Sequence, residues 1–150
     1  MFGSLRQIKA ADPNRAHRSS MAADRPKAIP LIAIVEDDRA VLNSLEFALQ
    51  SEGYAVRGFE RWADAIASRE VLEADCLVVD YAMPGLTGVA LLDRLRANGL
   101  ACPAIVIASN PGPHCRREVQ SAGAPLVEKP LLDGALGAHI RAALRAAKPN

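Results

Sequence analysis

Residues 31–38 read LIAIVEDD, five apolar residues followed at once by three acidic ones. An apolar run without alternation predicts a β-strand that is buried on both faces of a sheet. After the acids, apolar residues recur at intervals of three and four from Val41 to Leu49, which predicts an amphipathic helix that ends at Gly53. The folded part of the chain therefore starts as a buried strand, an acidic connection and a helix.

The same strand-then-helix pattern occurs five times. Further apolar runs lie at residues 54–57, 76–79, 104–108 and 126–127, and each is followed by apolar residues at helical spacing. Strands that alternate with helices pair in parallel through right-handed crossovers. The sequence therefore predicts an α/β fold with a doubly wound, five-stranded parallel sheet.

The composition indicates one domain of ordinary size in a reducing compartment. The chain has 150 residues, half of them hydrophobic, which is enough for one packed core. It has neither an apolar run of the roughly 20 residues that a membrane-spanning helix needs nor a secretory signal. Three cysteines without C-x-x-C spacing argue against a disulfide framework or a zinc site. We expect a cytoplasmic protein without a membrane span.

The first residues differ from the rest in charge and in pattern. Residues 1–30 carry six basic and two acidic side chains without apolar periodicity, so we expect a flexible basic leader at 1–29 and a folded domain at 30–148. The leader is an arm that contacts an acidic partner or a membrane, an unstructured extension, or an artefact of an upstream start codon with Met21 as the true start. The remainder carries 12 basic and 15 acidic residues, so direct nucleic-acid binding is not expected.

Charged residues stand at the ends of three predicted strands. Glu36 and Asp37 follow the first, Asp80 ends the third, and Lys129 ends the fifth. The carboxyl ends of parallel strands share one edge of the sheet, where carboxylates brought together repel one another unless a cation is present. Mg²⁺ suits such oxygen ligands, and a lysine beside them suits phosphoryl transfer to an aspartate. Each residue alone has an ordinary structural interpretation, and Asp38 is expected to be a helix N-cap.

Three segments together resemble the receiver domain of two-component response regulators. They read VEDD at 35–38, VDYAMPGLTG at 79–88 and EKP at 128–130. The resemblance covers about residues 30–148, and its wording is most similar to receivers of the nitrogen-fixation regulator type. It implies a CheY-like, flavodoxin-like three-layer sandwich. Because too few residues follow 148 in the sequence for an output module, we expect a stand-alone signalling domain.

The resemblance also implies a role for each matching residue. Asp80 would accept a phosphoryl group from a histidine kinase or a histidine phosphotransfer protein, and Lys129 would pair with Asp80 and then with a phosphoryl oxygen. The bond before Pro130 is cis in relatives, which would aim the lysine inward. The implied Mg²⁺ ligands are three carboxylates and one backbone carbonyl: Glu36, Asp37, Asp80 and the carbonyl of Ala82.

Two positions depart from the family pattern. Ala108 stands where receivers usually carry Thr or Ser, and Leu126 stands where they carry an aromatic residue that swings inward. Ser109 would replace the hydroxyl only after a local shift, because its side chain is expected to point elsewhere. Either the domain is phosphorylated and signals through the loop at 110–114 and the following helix, or its output depends little on phosphate.

The function expected from these residues is phosphoacceptance rather than turnover of a substrate. The signal would pass by protein–protein contact to a downstream effector, and a homodimer is possible. A phosphorylation-insensitive binding scaffold is the main alternative. A phosphatase-like hydrolase is disfavoured because Ala82 stands where a second acid is needed, and no phosphate loop for a flavin follows the first strand. Trp62 is interpreted as core or edge packing, His114 as an exposed loop residue and Cys115 as an ordinary helix cysteine.

Overall fold

The computed structural model describes residues 28–131 and 134–147. Residues 1–27 of the expected leader and Lys148, at the end of the expected domain, lie outside the described residues. The main elements of the described residues are five helices and seven strands, and two of these strands pair separately from the rest as a short hairpin. In chain order they are β1 (Leu31–Val35), α1 (Arg39–Ser51), β2 (Ala55–Phe59), α2 (Trp62–Ala67), β3 (Cys76–Asp80), β4 (Ala82–Met83), β5 (Leu86–Thr87), α3 (Gly88–Ala97), β6 (Ala104–Ser109), α4 (Pro113–Ser121), β7 (Leu126–Lys129) and α5 (Ala135–Ala147).

Five of the strands form one parallel sheet in the order β2-β1-β3-β6-β7. This confirms the predicted doubly wound α/β fold. All five residues of β3 are buried, as are the last four of β1. Apolar runs without alternation thus became central strands covered on both faces, as expected for a parallel sheet.

The helices cover the two faces of the sheet unequally. Leu42 of α1 and Ile140 of α5 pack on one face together with Ile32 and Ile34 of β1. On the opposite face, α2, α3 and α4 pack against the alternate residues of the same strands. Each fully buried Leu, Ile or Val contributes about 1.5–3 kcal/mol, so the two apolar layers supply most of the free energy that holds the sheet.

Side-chain caps fix where two helices begin next to the strand ends. The Asp38 carboxylate accepts hydrogen bonds from the main-chain N–H groups of Ala40 (2.9 Å) and Val41 (3.3 Å), so Asp38 is the N-cap of α1, as predicted. The Thr87 hydroxyl accepts from the Ala90 N–H at 3.1 Å and caps α3.

Short elements account for the differences from the sequence prediction. The strand expected at 54–57 is Ala55–Phe59, and Glu70–Glu73 forms an unforeseen 3₁₀ turn. The hairpin of β4 and β5 was not predicted, because two-residue strands are too short to show a period. Gly85, with a φ of +84°, makes its turn.

No helix in residues 28–131 and 134–147 combines the length and apolarity required to cross a bilayer. His114 is exposed as predicted, but it lies in the first turn of α4 rather than in a loop. Cys115 is a buried helix cysteine, and burial and then Glu118 raise the pKa of its thiol. Trp62 packs against the edge of the core, as predicted.

Candidate functional site

The chain reverses its winding direction at the centre of the sheet. From β1 it first moves outward to β2, and then returns to the other side of β1 for β3, β6 and β7. A crevice opens beyond the carboxyl ends of the strands at such a reversal, and ligands bind there in open α/β sheets. A cavity of about 460 Å³ lies at this place, and the residues predicted as the site contribute to its lining.

Three carboxylates meet in the crevice. One oxygen from each of Glu36, Asp37 and Asp80 lies within 4.8 Å of the others. Glu36 is fully buried, Asp80 is 5% exposed, and Asp37 is exposed at the rim. Ala82, whose carbonyl was the fourth expected ligand, also lines the cavity. The sequence prediction that these residues come together therefore agrees with the geometry.

Lys129 reaches into the crevice from the end of β7. Its Nζ lies 2.7 Å from Glu36 Oε1 and 3.2 Å from Asp80 Oδ1, and its side chain is 17% exposed. The peptide bond between Lys129 and Pro130 is cis. Burial lowers the pKa of Lys129, but the two carboxylates outweigh burial and raise it overall, so the side chain stays an ammonium ion.

Burial and the neighbouring carboxylate disturb the acidity of Asp80. Desolvation, followed by hydrogen-bond and charge interactions with Glu36, raises the pKa of Asp80 to about 7, although Lys129 acts in the opposite direction. One ammonium ion is therefore not enough to balance the carboxylates of the crevice.

The residues fit a hard divalent cation. Glu36 Oε1 is buried and accepts no hydrogen bond of regular geometry from the described residues, although the Lys129 ammonium lies beside it. The other oxygen, Oε2, accepts from the Asp38 N–H at 3.3 Å. Three carboxylates that offer oxygens within 4.8 Å of one another, two of them buried, are the donor set that Mg²⁺ prefers.

Two of the three atypical positions, Ala108 and Ser109, also face the crevice, whereas Leu126 does not line it. Ala108 is buried and Ser109 is exposed, and both line the cavity. Ser109 is in register with Lys129 across the sheet, and Leu126 is in register with Val106. Leu126 is half-buried at the edge of the core. Ala108 therefore brings a methyl group, and no hydroxyl, to the cavity wall.

Two contacts near the site were not foreseen from the sequence. The Tyr81 hydroxyl donates to Glu118 Oε1, and the Trp62 Nε1–H donates to the Pro84 carbonyl at 2.8 Å. These pairs are 37 and 22 residues apart, and no local pattern marks such separations. Cys115 was likewise seen only as a helix residue, whereas it also lines the cavity.

Comparison with known proteins assigns the family. The sequence profile of the response regulator receiver domain matches residues 32–141. The chain belongs to the response regulator receiver domain family. Receiver domains are signalling phosphoacceptors rather than turnover enzymes, and they generally bind Mg²⁺ at an acidic pocket.

The similar proteins are regulators of greater length. The transcriptional regulatory protein FixJ of Azorhizobium caulinodans is 35% identical over 120 residues, which are 79% of this chain and 56% of that protein. FixJ of Bradyrhizobium diazoefficiens is 34% identical over 119 residues, 79% of this chain and 58% of that protein. The crystal structure of FixJ-N has a TM-score of 0.73 at 29% identity and covers 83% of this chain and 100% of its own. This receiver thus spans about half the length of the curated relatives it matches.

The raised pKa of Asp80 predicts a pH-dependent cost to stability. Because the folded-state pKa of about 7 exceeds the ordinary value of 3.8, the folded state binds this proton more tightly, and stability is lost as pH rises from about 4 to 7. With divalent cations chelated, the free energy of unfolding of Asp80→Asn at pH 8 is expected to be about 1–3 kcal/mol higher than that of the wild type. The difference should shrink at pH 5.

Urea unfolding at both pH values measures this difference. Asp93→Asn, which neutralises an exposed carboxylate on α3, serves as the control and should show little difference at either pH. An Asp80→Asn protein that is less stable than wild type at pH 8 would contradict the electrostatic explanation of the crevice. So would a free energy of unfolding that differs from wild type by the same amount at both pH values.

Proposed function

We propose that Asp80 accepts a phosphoryl group from the phosphohistidine of a histidine kinase or a histidine phosphotransfer protein. The observation that carries this proposal is the position of Lys129 Nζ, 3.2 Å from Asp80 Oδ1 in a crevice with two further carboxylates. A buried aspartate that is held by an ammonium ion and opens into a cavity is arranged as a nucleophile for a compact, highly charged group.

The transfer makes one bond and breaks one. A carboxylate oxygen of Asp80 attacks phosphorus, the new O–P bond forms as the P–N bond to the donor imidazole breaks, and the imidazole nitrogen keeps the electron pair. Lys129 first holds the carboxylate in its charged form and then neutralises a phosphoryl oxygen. Little covalent chemistry is left to the protein, so positioning and charge account for the rate.

Glu36, Asp37, Asp80 and the carbonyl of Ala82 would hold a Mg²⁺ ion in this proposal. When bound, the ion supplies positive charge to the phosphoryl oxygens and lowers the repulsion among the carboxylates. The convergence of three carboxylates on one side of a single lysine supports a cation at this place. Without a cation, part of Asp80 is protonated near neutral pH and is not a nucleophile.

The unit that carries this function extends from residue 30 to 148 in our proposal, after a basic leader at 1–29. We propose that it works in the cytoplasm and signals by contact with a downstream protein effector, with homodimerisation as one mode of contact. The excess of acidic over basic residues after residue 30 supports protein contact rather than direct nucleic-acid binding by the receiver domain. The transcriptional role in the names of the FixJ proteins is not transferred, because about half of their length has no counterpart in the comparison.

A second candidate function follows from the atypical positions. Ala108 and Leu126 remove the hydroxyl and the aromatic side chain through which receivers usually respond, which favours a scaffold that binds its partner regardless of phosphate. The intact set of Asp80, Lys129 and the two other acids favours phosphoacceptance instead. The two candidates differ in whether partner affinity changes when a phosphodonor is added.

Phosphoacceptance predicts a defined covalent adduct. Wild-type protein incubated with Mg²⁺ and acetyl phosphate should gain one phosphoryl group in an intact-mass measurement, because the small donor needs no docking partner. Asp80→Asn should gain none, and chelation of Mg²⁺ should slow the gain strongly. Asp93→Asn should be labelled like wild type. An adduct retained in Asp80→Asn would contradict the assignment.

The missing hydroxyl predicts a gain of function at position 108. Ala108→Thr would place a donor on the cavity wall, and a charge-assisted hydrogen bond to a phosphoryl oxygen is worth about 1.5–3 kcal/mol. The extra stabilisation that beryllofluoride, a phosphoryl mimic, gives to wild type should therefore rise by about this amount in urea unfolding. Ala108→Val, with the same shape but no hydroxyl, is the matched control. Equal responses of the Thr and Val variants would show that the position does not contact the phosphoryl group.

A further inference from the structure

Helix α4 is attached to the residue that follows the phosphoacceptor. Tyr81 comes directly after Asp80, and its hydroxyl donates a hydrogen bond to Glu118 Oε1 in the middle of α4. Tyr81 is half-buried, and the side chain of Glu118 is 34% exposed, so water competes only partly for this bond. A hydrogen bond to a carboxylate is stronger than a bond between neutral groups.

The main chain of Tyr81 is fixed on both sides. Its N–H donates to the Ile107 carbonyl at 2.8 Å, and its carbonyl accepts from the Gly88 N–H at 2.7 Å. A Cβ at position 88 would lie 2.5 Å from the Asp80 carbonyl oxygen, so the backbone here is closely packed. The side chain of Tyr81, rather than its backbone, is therefore free to respond to a change at Asp80.

The cavity that would receive the phosphoryl group lies between Tyr81 and α4. Both Tyr81 and Cys115, which belongs to α4, line it together with Asp80. A group added to Asp80 is thus placed against two parts of the molecule that the Tyr81–Glu118 bond joins.

A second attachment of α4 lies beside the lysine. Arg116 donates to a carboxylate oxygen of Glu128, the residue before Lys129. Both side chains are 54% exposed, and exposed ion pairs of this kind contribute little to stability. This pair is therefore the weaker of the two links, and it offers a control at the same helix.

We propose that the Tyr81–Glu118 hydrogen bond couples occupation of Asp80 to the position of α4, in place of the hydroxyl and aromatic pair that Ala108 and Leu126 replace. The proposal rests on the proposed function, since it requires a phosphoryl group on Asp80. It identifies Tyr81 and Glu118 as positioning residues that carry the response, and it makes the surface of α4 the part of the domain that changes.

Hydrogen–deuterium exchange of residues 113–121, with and without Mg²⁺ and beryllofluoride, measures the response. In wild type, the exchange rate of this segment should change by roughly threefold or more. Tyr81→Phe, which removes only the hydroxyl, should abolish most of this change, although the protein is still labelled by acetyl phosphate. Arg116→Gln should keep the change, because it breaks only the exposed pair.

Two variants of Glu118 separate the effect of the hydrogen bond from the effect of the carboxylate charge. Glu118→Gln retains an oxygen that accepts from Tyr81 and should keep most of the response, whereas Glu118→Ala should behave like Tyr81→Phe. Equal basal exchange in the absence of beryllofluoride would show that the variants remain folded in the same way.

The possible results separate this inference from the proposed function. A wild-type segment that does not change, or a Tyr81→Phe protein that responds like wild type, overturns the coupling even if Asp80 is labelled. Loss of the response in Arg116→Gln to the same extent overturns the assignment to Tyr81. If wild type gains no phosphoryl group from acetyl phosphate, phosphoacceptance itself is refuted. The intact-mass measurement shows this independently of the hydrogen–deuterium exchange experiment.

Discussion

The half-buried ammonium ion of Lys129 between Glu36 and Asp80 is the interaction on which the site depends. Burying two charged carboxylates away from water costs free energy. A positive charge within hydrogen-bond distance offsets this desolvation cost. Loss of the lysine would leave both acids uncompensated, and loss of one acid would leave the lysine with a single partner. The remaining imbalance, expressed in the raised pKa of Asp80, is the chemical basis of the proposal that the crevice holds a cation.

This arrangement is possible because the sheet, and not the site, supplies the stability. The strands that end at the crevice are apolar along their buried length, so two packed layers oppose the electrostatic cost at their ends. The reversal of winding between β2 and β3 opens the crevice at the carboxyl edge, where the acids follow their strands directly. The electrostatic cost is therefore concentrated at one end of the sheet.

The sequence predicted the sheet and the acidic site because both depend on local signals. A run such as LIAIV without alternation can be buried only on both faces, and an acid directly after such a run must lie at the carboxyl edge. Asp38 was recognisable as a cap for the same reason, since its partners are two and three residues away.

The contacts of Tyr81 and Trp62 lay beyond sequence reasoning. Each joins segments that come together only when the helices pack. The residues next to a tyrosine in the sequence do not indicate which distant side chain its hydroxyl will contact. The hairpin around Gly85 was missed because its strands are too short to show a pattern. The departures at Ala108 and Leu126 were visible in the sequence, but the link that α4 makes through Glu118 was not.

In the proposed function, apolar strands bring the carboxylates together, and the carboxylates converge around a divalent cation beside Asp80. The most direct test is a crystal structure of the protein with Mg²⁺ and beryllofluoride. We expect the ion at about 2.0–2.1 Å from oxygens of Asp37 and Asp80, with the Lys129 ammonium on a fluorine of the mimic. A crevice without a cation, with beryllium absent from Asp80, would contradict it.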